Sequence, residues 1–233
     1  MDEAGDGRYQ GDRRGNLNFG PYKVLEAVNP VQTRIGNRVG LFPRELAPLK
    51  DACHRYLRFC CAVDTDDTVM IAHRPWVAPL NYLITLYPGA KPSWFGKYRQ
   101  LHGITIPPVL RSLLSVTNGC FVFGLSLFGM PPSMRKNPPM LDRTRLQCLD
   151  IASANQHWKQ QYATHSQHFY FGSRYYSDCE NAAYFLVGRT SIVAVLKDGN
   201  VIGEWSDLGS FLNDEIQASE KRECSDVPED WWH

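Results

Sequence analysis

The chain has no long hydrophobic run, and that absence sets the first limits. Its most apolar stretch outside the core candidates, residues 76–87, is broken by Pro79 and Asn81 and is too short to cross a bilayer. The opening MDEAGDGRYQGDRRG is polar and lacks the apolar segment of a secretory signal. A cytoplasmic protein with no membrane partner is therefore expected. Organised cysteine is missing too. The seven cysteines are odd in number and scattered, with no Cys-x-x-Cys pair. Cys53-His54 with Cys60-Cys61 comes nearest to a soft-metal site, but packing along a cysteine stripe is the favoured reading, and no metal is expected. Cys120 and Cys148 lie in apolar runs, where a thiol packs as a small hydrophobe. This usage fits a reducing compartment.

Catalytic signatures are also lacking. There is no nucleophile elbow, His-Glu-x-x-His pattern or phosphate loop; Gly36 and Gly40 lack the required Lys and preceding strand. Asp64-Thr65-Asp66-Asp67 lacks the Gly and closing Glu of a calcium loop. His157, His165 and His168 read as surface histidines. Net charge is only +1, and the first 105 residues set fourteen Lys/Arg against ten Asp/Glu, too slight an excess for direct nucleic-acid binding through Arg55 and Arg58. The expectation is a non-enzyme without a cofactor. A hydrolase using a Cys and a His of the N-terminal part is the least favoured alternative.

What the sequence does contain is core. Hydrophobic residues make up 43% of the 233, aromatics 12%, enough for one large domain or a domain with an extension. Residues 106–129 are the most informative. Pro107 and Pro108 open a helix, since its first positions need no donor. Leu110, Leu113, Leu114 and Thr117 fall on one face, and Asn118-Gly119 is expected to cap it. One apolar strand of alternating faces follows, from Phe121 through Gly124 to Phe128. Before this block, short strands are expected at 22–28, 39–42, 68–73 and 81–87, and helices at 44–61 and 92–102. Ser93 is the expected cap of the second helix. After it come a proline-rich loop at 130–140, a strand at 146–151 and a helix at 153–163. Strands at 168–171 and 183–187 follow, with a hairpin across Asp198-Gly199. Ser206 or Asp207 caps a last helix whose Leu208, Phe211, Leu212 and Ile216 form a stripe. Short connections after residue 165 leave no room for crossover helices, so the fold class is α+β, a mainly antiparallel sheet packed against helices.

The order IPPVLRSLLSVTNG, FVFGLSLFG, a helix bearing Trp158, HFYFGS, AYFLVG, VLKDGNVIGEW and SDLGSFLNDEI resembles the SUKH superfamily over residues 91–217. Pro107, Asn118, Gly119, Gly124, Gly172, Gly199 and Phe211 carry the motif positions. An aromatic segment, SWFGKYRQLHG, stands where the family often has an acidic helix. With residues 91–217 as a SUKH-like domain, the chain is expected to divide further into an arm rich in Gly, Asp and Arg and expected to be disordered (1–20), an extension or extra subdomain (21–90) and an acidic tail (218–233). It implies a module that acts by binding, as in fungal cell-wall regulators and bacterial toxin-immunity proteins. A toxin domain with a basic surface is the expected partner, a nuclease being one such toxin; a regulatory adaptor is the alternative. From Asp198 onward ten acidic residues face only Lys221 and Arg222. Asp198, Glu204, Asp207, Asp214 and Glu215 are the expected partner-binding carboxylates, with Tyr175 and Tyr176 as aromatic contacts. The sequence leaves stoichiometry open.

Overall fold

A computed structural model describes residues 29–78, 80–131, 148–164, 166–177 and 180–225. The arm, the strand expected at 22–28 and most of the proline loop lie outside these residues.

The chain is α+β. Among the described residues six helices, α1 (Pro30–Gly40), α2 (Ala47–Tyr56), α3 (Pro92–His102), α4 (Pro108–Val116), α5 (Ile151–Gln156) and α6 (Leu208–Glu223), surround one nine-stranded antiparallel sheet. The strands are β1 (Cys61–Val63), β2 (Val69–His73), β3 (Tyr82–Pro88), β4 (Thr117–Val122), β5 (Leu125–Leu127), β6 (Phe169–Ser177), β7 (Glu180–Val187), β8 (Ser191–Val195) and β9 (Val201–Trp205). They pair strictly in chain order, a meander with β1 and β9 at its edges. Residues 29–88 thus supply two helices and three strands of the same sheet that residues 91–205 complete.

Helix α1 replaces the strand expected at 39–42. Asn29 accepts the Val31 amide at 2.9 Å, Pro30 stands at a first-turn position, and Ile35 and Val39 bury one stripe. Those signals lie upstream of the β-prone Val39–Phe42 and override it. Pro48 sits in the first turn of α2, where it costs no hydrogen bond. Helix α3 spans the expected residues, although Lys91 stands at its cap position, Pro92 follows, and Ser93 is inside. Residues 153–163 divide into α5, capped by Asp150, and a 3-10 turn from Trp158 to Gln161. Ile151 is therefore helical rather than part of a strand.

The block 106–129 departs from expectation twice. Asn118-Gly119 is not a helix cap: α4 runs straight into β4, and both residues are buried within that strand. The Asn118 side chain grips Met130, donating to its carbonyl and accepting its N–H, both at 2.8 Å. Gly119 has φ +83°, and a Cβ there would stand 2.4 Å from Cys148 Sγ. The apolar strand is also two strands. Phe123 (φ +48°) and Gly124 (φ +80°) form a two-residue turn between β4 and β5. Positive φ at both central positions matches the right-handed twist of a hairpin. Phe123 adopts it while buried, its ring edge-on to Tyr56 at 5.1 Å. Gly172 fits for another reason, since a Cβ would come 2.9 Å from Ser126 O on the neighbouring strand.

Strand β7 is buried at every position from Ala182 to Leu186, so both faces of the sheet centre are covered. On one face Phe185 stacks on Tyr170 at 4.9 Å and meets Tyr162, beyond which Phe128 and Trp158 pack. On the other, Phe211 of α6 sits among Phe171, Tyr184 and Trp205 at 4.9–5.6 Å. Asp207 caps α6 by accepting the Ser210 amide, which holds its carboxyl below the usual range. The helix continues to Glu223, so residues 218–223 of the expected acidic tail belong to the fold. Arg55 of α2 pairs with Glu220 at 2.5 Å, and Tyr56 Oη meets Cys224 Sγ at 3.1 Å.

Candidate partner-binding site

In a meander every second connection emerges at the same end of the sheet. The β2–β3 loop, the β4–β5 turn and the β6–β7 hairpin share one end, and the last turn of α6 arrives there. Arg74 in the β2–β3 loop pairs with Glu223 of α6 at 2.9 Å and donates to Asn81 Oδ1 at 2.9 Å. The loop closes on itself through Arg74 N to Asn81 O (2.8 Å) and Val77 N to Arg74 O (3.1 Å). Gly124 leaves room for Glu223, whose Oε1 lies 3.1 Å from where a Cβ would be. Arg222 donates to Tyr175 O at 2.9 Å, tying the third connection to the same helix end.

On this frame stand Trp76 (42% exposed), Val77, Leu80, Tyr175 (58%) and Tyr176 (46%). Adjacent strand residues normally alternate faces, yet both tyrosines are exposed. The β6–β7 register slips between Tyr175 and Ser177, and such a bulge re-aims the side chains around it. Tyr176 is also backed by the Arg174 guanidinium, 5.6 Å from its ring centre. Arg174 is fixed from below: Glu215 accepts from its Nε at 2.7 Å and from Tyr184 Oη at 2.5 Å. Burial, then the Glu215 charge, push the Tyr184 hydroxyl far up, so it stays a donor. Aromatic rings of few rotamers on a rigid, ion-paired base are what a protein contact needs.

The expected carboxylates scatter. Glu215 is 5% exposed and cannot belong to a partner-binding face; its carboxylate is consumed by Arg174 and Tyr184. The reason is helical phase, since Glu215 shares the inward stripe of Leu208, Phe211 and Leu212. Asp207 is exposed but employed as the cap, and Asp214 accepts from Trp205 Nε1 at 3.1 Å. Glu204 on β9 and Asp198 in the β8–β9 turn, where Gly199 takes φ +88°, are exposed. Glu204, Asp207 and Asp214 therefore lie at or beside the β9 edge, while Asp198 sits in the β8–β9 turn at the same end of the sheet as the rim.

Cys53 is wholly buried, and burial pushes its thiol up to about 12; burial raises Cys60 and Cys61 too. A nucleophilic thiol needs the opposite shift. Among the described residues no three His, Cys, Asp or Glu side chains are grouped to hold a metal. His168 Nδ1 lies 2.6 Å from Thr164 Oγ1, beside an open cleft of about 420 Å³ lined by Ser166, Gln167, His168, Val187 and Gly188; His165 lies outside the described residues. Among the described residues no helix is long and apolar enough to cross a membrane.

The rim residues Trp76, Val77 and Leu80 were missed because their stretch reads only as an apolar run outside the core, broken by Pro79 and Asn81 and too short to cross a bilayer. Pro75 and Pro79 were the available signal: prolines that close together point to a surface loop, and apolar side chains there need a reason. No family model, curated protein or solved structure gives a significant match to the chain.

Proposed function

We propose that the chain is a non-enzymatic binding module that neutralises a protein partner, a toxin domain of the kind countered by SUKH immunity proteins. The aromatic rim around the end of α6 carries the proposal. Trp76, Tyr175 and Tyr176 are large, exposed and held on a base of ion pairs, the composition of binding hot spots. The exposed carboxylates Asp198, Glu204, Asp207 and Asp214 lie along a neighbouring edge. They suit a basic partner, speeding encounter more than they tighten the final contact. The resemblance over residues 91–217 supplies the partner class, and the cytoplasm of the producing cell is where such binding would act.

The test asks first whether a toxin domain is encoded beside this chain's gene, an isolated locus counting against the reading, and then titrates that domain against wild type and Trp76→Ala, Tyr175→Ala and Tyr176→Ala variants. Each substitution is expected to weaken the complex by about tenfold or more while the melting temperature holds. Glu204→Lys with Asp214→Lys should slow association chiefly at low salt. If the three rim substitutions combined leave the affinity unchanged, the assignment is wrong.

A further inference from the structure

The meander leaves two strand edges, and they are finished differently. Strand β1 has three residues, all half-buried, with α1 packed against it. Strand β9 has five, and among the described residues nothing but β8 pairs with its backbone. An edge strand turns alternate N–H and C=O groups outward, a template for another strand. The side chains of β9 leave that row accessible. Gly203 has none, and the Trp205 ring lies back over it, 2.5 Å from where a Cβ would stand. Val201 is 46% exposed, and Glu204 is exposed as well.

Glu204 decides which strand this edge accepts. Its neighbour across the ladder is Val193, and it makes no hydrogen bond or ion pair among the described residues. Arg189 and Lys197 occupy the turns at the two ends of β8, and neither pairs with it. Asp207 and Asp214 stand beside the same edge, engaged with Ser210 and Trp205. Two copies meeting edge to edge would crowd these carboxylates together, and the register shift that leaves Ile202 unpaired distorts the edge further. A basic strand meets the opposite situation. A cation across from Glu204 supplies the cross-strand charge pair that β8 does not.

We infer that β9 takes up a tenth strand, an extended basic segment of a separate protein, with a Lys or Arg across from Glu204 and an aliphatic side chain against Val201. Main-chain hydrogen bonds to the open edge hold the segment, and Glu204 selects its charge. The inference rests on the reading of these carboxylates as facing a basic partner, and not on the aromatic rim, which stands on other strands. It changes their part from speeding encounter to direct contact.

The probe is a short capped peptide of valine and threonine interspersed with lysines, followed by fluorescence anisotropy on the full chain. Wild type is expected to bind it with an affinity that falls as salt rises. Amide hydrogen exchange within β9 should slow in the complex. Glu204→Lys should weaken binding by about tenfold, and circular dichroism verifies that this exposed substitution leaves the fold intact. Methylating alternate backbone nitrogens of the peptide keeps its charge but removes ladder donors, and should also cost about tenfold or more. Tyr176→Ala should leave peptide binding unchanged, which separates failure here from failure of the rim assignment. Equal binding by the methylated peptide, or unchanged exchange in β9, overturns the inference by making the contact purely electrostatic. Equal binding by Glu204→Lys overturns it too, as does no binding by wild type at about 1 mM peptide. Self-association that slows exchange in β9, without peptide binding, would assign the edge to a second copy and overturn it as well.

Discussion

Truncating Asn118 to alanine should be among the most damaging polar substitutions in this protein. Asn118 is 1% exposed, and its amide makes two hydrogen bonds of 2.8 Å to the N–H and C=O of Met130, itself fully buried. Removing the amide leaves one buried donor and one buried acceptor without that partner, in a space that only a water could refill. At about 1–3 kcal/mol per stranded group the cost is roughly 2–6 kcal/mol. Asn155 provides the matched control. Its amide makes the same pair of bonds to Tyr170, at 2.8 and 2.9 Å, but Asn155 is only half-buried. Water can replace what Asn155→Ala removes, so its cost should fall nearer ~1 kcal/mol. Urea unfolding followed by tryptophan fluorescence gives both values, and for a chain of this size the Asn118→Ala midpoint in a thermal scan should drop by roughly 4–24 °C. Equal losses for the two variants, or a loss below about 1 kcal/mol for Asn118→Ala, would show that burial does not set the price of these bonds.

Glu215→Gln keeps the shape but leaves Arg174 as an uncompensated, largely buried cation; about 3 kcal/mol should be lost in urea unfolding, with Tyr176 losing its backing and partner affinity falling in parallel. Gly119→Ala forces a left-handed residue against Cys148 Sγ and should cost several times more than Gly103→Ala, which shares a positive φ of 69° but meets open space; paired thermal melts decide it. Cys53 gives an alkaline signature. Its folded thiol is raised from 9.0 to about 12, so its stabilising contribution is complete below pH 9 and is lost as pH rises from there toward 12; Cys53→Ala should flatten that decline in a pH series of melts. At pH 8 a thiol reagent should label Cys60 on the native protein and reach Cys53 and Cys120 only on unfolding.

The sequence disclosed whatever depends on local periodicity. The stripe of α6, the Asp198-Gly199 hairpin and the span of α3 follow from spacing and turn chemistry, and the structure repeats them. It misled where one signal serves two structures. Asn118-Gly119 has the composition of a helix cap, but here the glycine's positive φ admits Cys148 and the asparagine reaches twelve residues along the chain to Met130. Phe123-Gly124 lacks the usual Asn-Gly or Asp-Gly of a tight turn, and burial of the phenylalanine ring holds the unusual backbone in place. Glu215 looked like one more surface carboxylate because its partners, Arg174 and Tyr184, lie on strands far away in sequence. The rim stayed hidden for the same reason: it is assembled from three connections and a helix end.

The meander has a consequence for how this protein is made. Each strand pairs with the one synthesised just before it, so the sheet can zip up in the order in which the ribosome releases it. The first-made helices cannot finish in that way. The side chains of Arg55, Tyr56 and Arg74 wait for Glu220, Cys224 and Glu223, which emerge only after the whole sheet. The ties that steady the rim come from the same turn of α6, so a chain cut short before that helix would lose Glu223 from Arg74 and Arg222 from Tyr175 together.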